Sequence, residues 1–154
     1  MTDLRCPLCG SDKVKLGKET INLSEPYGGE KSFEIDNYVC SVCDFEGDIL
    51  DQNDFIIIKE ANKLKAVACQ NIIEHFEQQG ISIRAIERIL GLHIGSLSEY
   101  KTLIAQPDPA VVALLKFLRT YPWLLDVAEA KFSEEKTLQI LIDAAQNDPV
   151  RDEW

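Results

Sequence analysis

The chain has 154 residues, a net charge of −10 and 45% hydrophobic residues. This composition fits a globular protein of one domain or two small ones and excludes an extended disordered chain. The acidic balance excludes a protein that binds nucleic acid through an overall positive potential, although it leaves room for a local basic face. No apolar run is long enough to cross a bilayer, and the first five residues carry no apolar signal segment. We therefore expect a cytoplasmic protein without a membrane partner.

Two pairs of cysteines share one spacing. Cys6 and Cys9 are separated by two residues, and so are Cys40 and Cys43. Each C-x-x-C turn delivers two thiolates from one loop, and two such turns supply the four soft ligands of a tetrahedral zinc ion. A redox pair or an iron centre is the alternative. Because four thiolates leave no open position for water, we predict one structural Zn²⁺ per chain and no catalytic metal.

The residues between the two cysteine pairs are predicted to form a β-hairpin. Apolar residues alternate with polar ones on both sides of Pro26–Gly29, where proline presets one dihedral angle and the glycines are expected to take positive φ. Gly17 shifts the alternation, which predicts a bulge. An isolated hairpin of this size is marginal in water, so we expect a metal at its base to stabilise it.

After Asp51 the apolar period becomes that of a helix. No proline or glycine interrupts the stripe until Gly80, so one long helix or two nearly continuous ones are expected, with Gly80 as the C-cap. Cys69 lies inside this stretch and is expected to be a small core residue. His75 is expected to be a partly buried or surface histidine, because no second metal ligand follows it at helical spacing.

The next stretch predicts two short helices with a tight joint. Ser82 is expected to cap a helix over Ile83–Leu90, and a second helix is expected from Ile94 or Gly95 to Thr102. Ile94 is one of the expected apolar contacts. The simpler interpretation of Glu87 and its neighbouring arginines, Arg84 and Arg88, is a solvated face. This arrangement is the helix-turn-helix pattern.

Three further helices are predicted beyond this pair. Asp108 is expected to cap the first of them, with Pro109 at its first position. Pro122 interrupts the chain again before a short helix, and Ser133 is expected to begin a last, acidic helix. That last helix is most simply a packing or dimerisation element, and the alternative is self-inhibition of the DNA face by its carboxylates.

Together these elements predict an α+β, mainly α protein. A small N-terminal zinc-bound β-hairpin domain is followed by an all-α helix-turn-helix domain with an extra C-terminal helix. The expected organisation is a zinc-binding β domain over residues 1–50, a helical connector over 51–65, a helix-turn-helix domain over 66–132, and a C-terminal helix with an acidic tail over 133–154.

Polar and cationic side chains around the helix pair are the candidate contacts to DNA. Their charges and hydroxyl groups would bind phosphates, and Ser96 is the expected base contact. The simpler interpretation is a solvated surface, with His93 only a turn residue. The candidate residues are Arg84, Arg88, His93, Ser96, Ser98 and Lys101.

A group of motifs gives the sequence a family resemblance. The two cysteine turns, thirty residues apart, are accompanied by Leu97–Tyr100, Ala105–Pro109, Leu114–Leu118 and Tyr121–Leu125. With these motifs the sequence resembles the MqsA (YgiT-type) antitoxins, which join an N-terminal zinc domain to a C-terminal helix-turn-helix domain of the Xre type. The resemblance covers about residues 3–127, so the acidic last helix lies beyond it.

The resemblance implies a function. Members of the family bind promoter DNA as homodimers through the helix-turn-helix domain and engage a partner toxin through the zinc domain, where the zinc is structural. The four cysteines match the zinc ligands. Family members place an asparagine and an arginine on base edges, and the matching positions here are Gly95 and Glu99.

The expected function is therefore that of a zinc-containing, antitoxin-like transcriptional regulator. The alternative is a protein-interaction or dimerisation module that has lost specific DNA binding, which Gly95, Glu99 and the acidic balance favour. An enzyme is not expected, because the sequence shows no nucleophile–base pairing, phosphate loop or open metal site.

Overall fold

The computed structural model describes residues 4–147, so the acidic tail lies outside the described residues. Strands β1 (Val14–Glu25) and β2 (Gly29–Cys40) form an antiparallel hairpin, and β3 (Glu46–Gly47) extends the sheet in the order β1-β2-β3. The helices of the described chain are α1 (Asn53–Gln78), α2 (Ile83–Leu90), α3 (Ser96–Lys101), α4 (Pro109–Thr120), α5 (Leu124–Glu129) and α6 (Glu134–Gln146). The protein is α+β and mainly α, as predicted, although the two-residue strand β3 was not predicted.

The hairpin has one continuous register. Val14 pairs with Cys40 and Glu25 with Gly29, and every residue between them has one partner. The prediction of a bulge at Gly17 is therefore wrong. Gly17 instead allows the two strands to pack closely, because a Cβ atom at this residue would lie 3.2 Å from the carbonyl oxygen of Asn37.

The residues with positive φ angles in the hairpin turn differ from the predicted ones. Positive φ angles occur at Tyr27 (66°) and Gly29 (90°), and not at Gly28. Gly28 is needed for space, since a Cβ atom at this residue would lie 2.4 Å from the carbonyl oxygen of Leu64 in α1. The turn therefore packs directly against the backbone of α1.

Charged groups hold the first part of α1 in place. The carboxylate of Asp48 accepts hydrogen bonds from the backbone N–H groups of Asn53 (2.6 Å) and Gln52 (2.7 Å), and these bonds lower the pKa of Asp48. Lys31 of β2 and Lys63 of α1 both donate to the carboxylate of Glu60. They lower the pKa of Glu60 to about 2. The hairpin and α1 are therefore joined by one ion pair, Lys31–Glu60, as well as by packing.

The chain divides into two compact units, one up to Leu64 and the other from Lys65 onward, so the boundary falls within α1. The helix is continuous to Gln78. Carbonyl groups of its last turn accept hydrogen bonds, because the N–H of Gly80 donates to Glu77 and the N–H of Ile81 donates to Phe76. This pattern confirms Gly80 as the terminating residue of α1.

The helical unit has its own apolar core. Helices α1 to α4 supply the buried cluster, whereas α6 has no buried residue. Cys69 is fully buried, which confirms it as a core residue, and burial raises the pKa of its thiol to about 12. The buried cluster consists of Cys69, Ile72, Ile73, Phe76, Ile86, Leu97, Val111, Val112, Leu115 and Leu118.

Candidate metal centre and helix-turn-helix face

The four cysteine sulfurs of the two C-x-x-C turns converge on one point. All four Sγ atoms lie within 4.8 Å of one another, with 3.5 Å between Cys6 and Cys43 and 3.6 Å between Cys9 and Cys40. A zinc ion with Zn–S bonds of about 2.3 Å has sulfur–sulfur edges of about 3.8 Å in a regular tetrahedron. The sulfur arrangement therefore fits a four-coordinate metal ion. In each turn the first cysteine is buried and the second is exposed.

The two cysteine turns close in the same way. The N–H of Gly10 donates to the carbonyl of Cys6 at 2.9 Å, and the N–H of Asp44 donates to the carbonyl of Cys40 at 3.1 Å. Both residues stand just after the second cysteine of their turn and have left-handed φ angles, 73° at Gly10 and 55° at Asp44. The two cysteine turns thus share this hydrogen bond and a left-handed residue at the same position.

A second hydrogen bond repeats in the two turns. The N–H of Cys6 donates to Ser11 at 2.8 Å, and the N–H of Cys40 donates to Phe45 at 2.9 Å. Each first cysteine is thereby fixed by both its N–H and its carbonyl group. Such bonds orient the thiols before any ion binds.

The hairpin brings the two turns together. Cys40 is the last residue of β2 and pairs with Val14, the first residue of β1. The N–H and the hydroxyl of Ser41 both donate to the carbonyl of Lys13, at 3.0 and 3.2 Å. A thirty-residue interval therefore returns the second turn to the first, because the strands that it contains are matched in length.

The thiols of the cluster differ in acidity. Burial opposes ionisation of Cys6, but hydrogen bonds from the backbone N–H groups of Cys9 and Leu8 outweigh it and lower its pKa to about 7. The N–H of Phe45 favours the thiolate of Cys43, yet the neighbouring thiols and burial raise its pKa to about 12. Four thiolates this close together repel one another, so full ionisation needs a cation among them.

The donor set decides which chemistry the centre can supply. Four thiolates in a tetrahedron suit a soft or borderline cation, and zinc is the common case. When bound, such an ion cross-links the two ends of the hairpin. With four protein ligands it keeps no position for a substrate or water.

No family model, curated protein or solved structure matches this chain. The resemblance to the MqsA antitoxins is carried by sequence motifs alone. Between residues 4 and 147, no helix combines the length and the apolar character needed to cross a membrane.

The second candidate site is the helix pair α2 and α3. The hydroxyl of Ser82 accepts the N–H of Ala85 at 3.3 Å and caps α2, as predicted. The turn over residues 91–95 leads into α3, whose buried residue is Leu97. The exposed side of α3 carries Ser98 and Glu99. The helix-turn-helix pattern therefore leaves a short polar helix face open to solvent.

The candidate DNA contacts occupy different positions around this pair. Arg84 lies exposed in the first turn of α2, and Ser98 lies exposed on α3, where Ser96 is half-buried. His93 is exposed in the turn, with its Nδ1 2.9 Å from the carbonyl oxygen of Ile94. The Ile94 side chain is 75% exposed, so its predicted place among the apolar contacts is wrong.

Two of the candidate cations are held by carboxylates. Arg88 donates to Glu129 at 2.6 Å, and Lys101 donates to Glu77 at 2.6 Å. The hydrogen bond from Glu77 raises the pKa of Lys101. These pairs would have to open, or share the cation, for either side chain to contact a phosphate.

The solvent exposure of Glu87 was predicted wrongly from the sequence. This residue was expected on a solvated face with its neighbouring arginines, but it is only 2% exposed. Its Oε1 accepts the N–H groups of Gly95 and Leu97, both at 3.0 Å. A signal was present in the sequence: Gly95 occupies the N-cap position of α3 without a side chain, so the first N–H groups of that helix need an acceptor from elsewhere.

Proposed function

We propose that the protein is a zinc-containing, antitoxin-like transcriptional regulator that binds DNA as a homodimer through α2 and α3. The observation that carries this proposal is the helix pair itself: α3 follows α2 after a five-residue turn, buries Leu97 and exposes a polar face. A short exposed helix after a tight turn is the element that helix-turn-helix proteins place in the major groove.

Few cationic side chains are available to contact the DNA phosphates. Arg84 and His93 supply charge or a ring N–H to phosphates, and Ser96 and Ser98 supply hydroxyl groups. The pairs of Arg88 and Lys101 with carboxylates are solvent-accessible, and exposed ion pairs contribute little free energy. Phosphate oxygens therefore compete with the carboxylates, and in the wild-type chain Arg88 and Lys101 are only partly released to DNA. The expected affinity is modest and strongly salt-dependent.

The metal in this proposal is structural. One Zn²⁺ on the four cysteines fixes the hairpin domain, which presents the surface for a partner toxin. Exposed apolar side chains stand between the ligands of both cysteine turns, with Leu8 74% and Val42 57% exposed. Apolar tips on a rigid loop suit contact with another protein.

DNase footprinting of the zinc-loaded protein on its own upstream region tests the DNA-binding proposal. Sequence-dependent protection of two half-sites about one helical turn apart is expected for a homodimer. In a matched gel-shift series, Glu99→Arg is expected to strengthen binding to mixed-sequence DNA, because it replaces a repulsive charge on α3. Absence of binding to either DNA at low salt contradicts the proposal.

A second candidate function is a protein-interaction module without DNA recognition. Ile94 and Ile104 flank α3 with 75% and 79% of their surface exposed, which favours protein contact over a charged backbone. Co-purification of a small partner protein, lost on Ile94→Ser or Ile104→Ser substitution and accompanied by no DNA binding, would establish this function instead.

A further inference from the structure

The buried carboxylate of Glu87 links the two helices of the helix-turn-helix pair. Glu87 lies in the middle of α2, next to the fully buried Ile86. Its side chain reaches across the turn to the N–H groups of Gly95 and Leu97, eight and ten residues further along the chain. Its own carbonyl oxygen accepts the N–H of Leu92 at 2.8 Å. One residue of α2 therefore contacts the turn and the start of α3 at three backbone positions.

The start of α3 depends on this side chain. The N-cap residue is Gly95, which makes no side-chain cap bond, and the N–H of Ser96 donates to the carbonyl of His93 at 3.1 Å. The N–H groups of Gly95 and Leu97 both end on the same carboxylate oxygen. A buried N–H group without an acceptor at a helix start destabilises the fold. Helix α3 has only six residues and therefore few hydrogen bonds of its own to offset such a loss.

The charge of Glu87 also has an electrostatic role. A carboxylate at a helix N-terminus matches the positive end of the helix dipole, the place where a phosphate binds in other proteins. Here that place is already filled by an internal carboxylate. The N–H groups of Gly95 and Leu97 are therefore engaged by Glu87 and are not available to a DNA phosphate.

We infer that Glu87 is the positioning residue of the helix-turn-helix pair: it caps α3 from within α2 and sets how the exposed face of α3 is presented. The functional consequence rests on the proposed DNA binding. Glu87 itself contacts no DNA and acts through the placement of Ser96 and Ser98.

Amide hydrogen exchange by NMR tests the cap in the full-length zinc-loaded protein. Glu87→Ala is expected to speed exchange at Gly95 and Leu97 by about tenfold relative to Ser82→Ala, the range expected for loss of a cap. Ser82→Ala is the matched control, because it removes a cap from α2 without touching α3. Glu87→Gln keeps an acceptor oxygen and is expected to restore slow exchange to within about threefold of wild type. Equal exchange at both amides in Glu87→Ala and Ser82→Ala overturns the inference, as does failure of Glu87→Gln to restore protection.

Gel shifts with the same variants separate this inference from the proposed function. If wild type binds the upstream duplex, Glu87→Ala is expected to weaken that binding about tenfold more than Ser82→Ala, with Glu87→Gln near or above wild type. Equal weakening by Glu87→Ala and Ser82→Ala would overturn the positioning role. If wild type binds no DNA while the exchange pattern holds, the proposed function fails and the assignment of Glu87 as the cap of α3 stands.

Discussion

Gly10 and Asp44 occupy equivalent positions in the two cysteine turns and share the left-handed backbone conformation, with φ angles of 73° and 55°. Each donates its N–H to the carbonyl of the cysteine four residues before it. The four-cysteine cluster is therefore built from a repeated turn. One copy uses glycine at this position and the other an aspartate, one of the residues that tolerate this region.

Gly10→Ala should destabilise the metal-bound hairpin by about 1 kcal/mol, because a left-handed alanine carries a steric penalty. Nothing lies within 4 Å of a Cβ atom at Gly10, so the penalty comes from the backbone alone. Gly10→Asp copies the second turn and should cost less than half as much. Urea denaturation of the zinc-loaded variants measures both. Equal losses for the two variants would mean that the two turns are not energetically equivalent.

Gly28→Ala should destabilise the hairpin by about 2 kcal/mol, since its Cβ would overlap the carbonyl oxygen of Leu64 and the turn would have to move. Gly29→Ala is the comparison variant, with a φ of 90° and open space around the added carbon. It should strain the turn without disturbing α1. NMR chemical shifts around Leu64 distinguish the two. A similar shift at Leu64 in both variants would contradict the steric explanation.

Glu77→Gln should strengthen binding to mixed-sequence DNA, because it frees Lys101 for a phosphate. The expected increase in the salt slope is about one unit, the value for one added phosphate contact. Glu134→Gln makes the same change in net charge on α6 and should leave the slope unchanged. Adding Lys101→Ala to Glu77→Gln should remove the gain. If Glu77→Gln leaves the salt slope unaltered, Lys101 does not contact the DNA backbone.

Chelation of the metal should unfold the hairpin while the helical core stays folded, because metal binding and folding are coupled in small metal domains. Cys40→Ser should likewise unfold the hairpin and leave the helical core folded. Cys69→Ala, a change in the helical core, is the control and should leave the metal content intact. Amide NMR spectra recorded with and without chelator report on the two parts separately. Retention of the β1 and β2 signals without metal would show that the strands need no cross-link.

The four-cysteine cluster followed from the sequence because ligand type and spacing specify it directly. The helix boundaries near Ser82, Asp108 and Gly80 followed from capping residues that act locally. The missed features arise from contacts between different secondary-structure elements. Gly28 is constrained by Leu64, and Glu87 is buried because Gly95 offers α3 no cap. Neither relationship leaves a periodic pattern in the sequence.

Strand β3 was missed because two residues carry no alternation, and it forms only where Glu46 and Gly47 meet β2 after the second cysteine turn. Ile94 was assigned to the core by its hydrophobicity, yet the turn leaves it exposed. Hydrophobicity alone does not specify which turn residue faces inward.

Zinc K-edge X-ray absorption on freshly purified, reduced protein tests the metal centre most directly. We predict one zinc per chain in a single shell of four sulfur atoms at about 2.3 Å. A metal-free protein, or a shell that contains nitrogen or oxygen, would contradict a closed four-thiolate centre on Cys6, Cys9, Cys40 and Cys43.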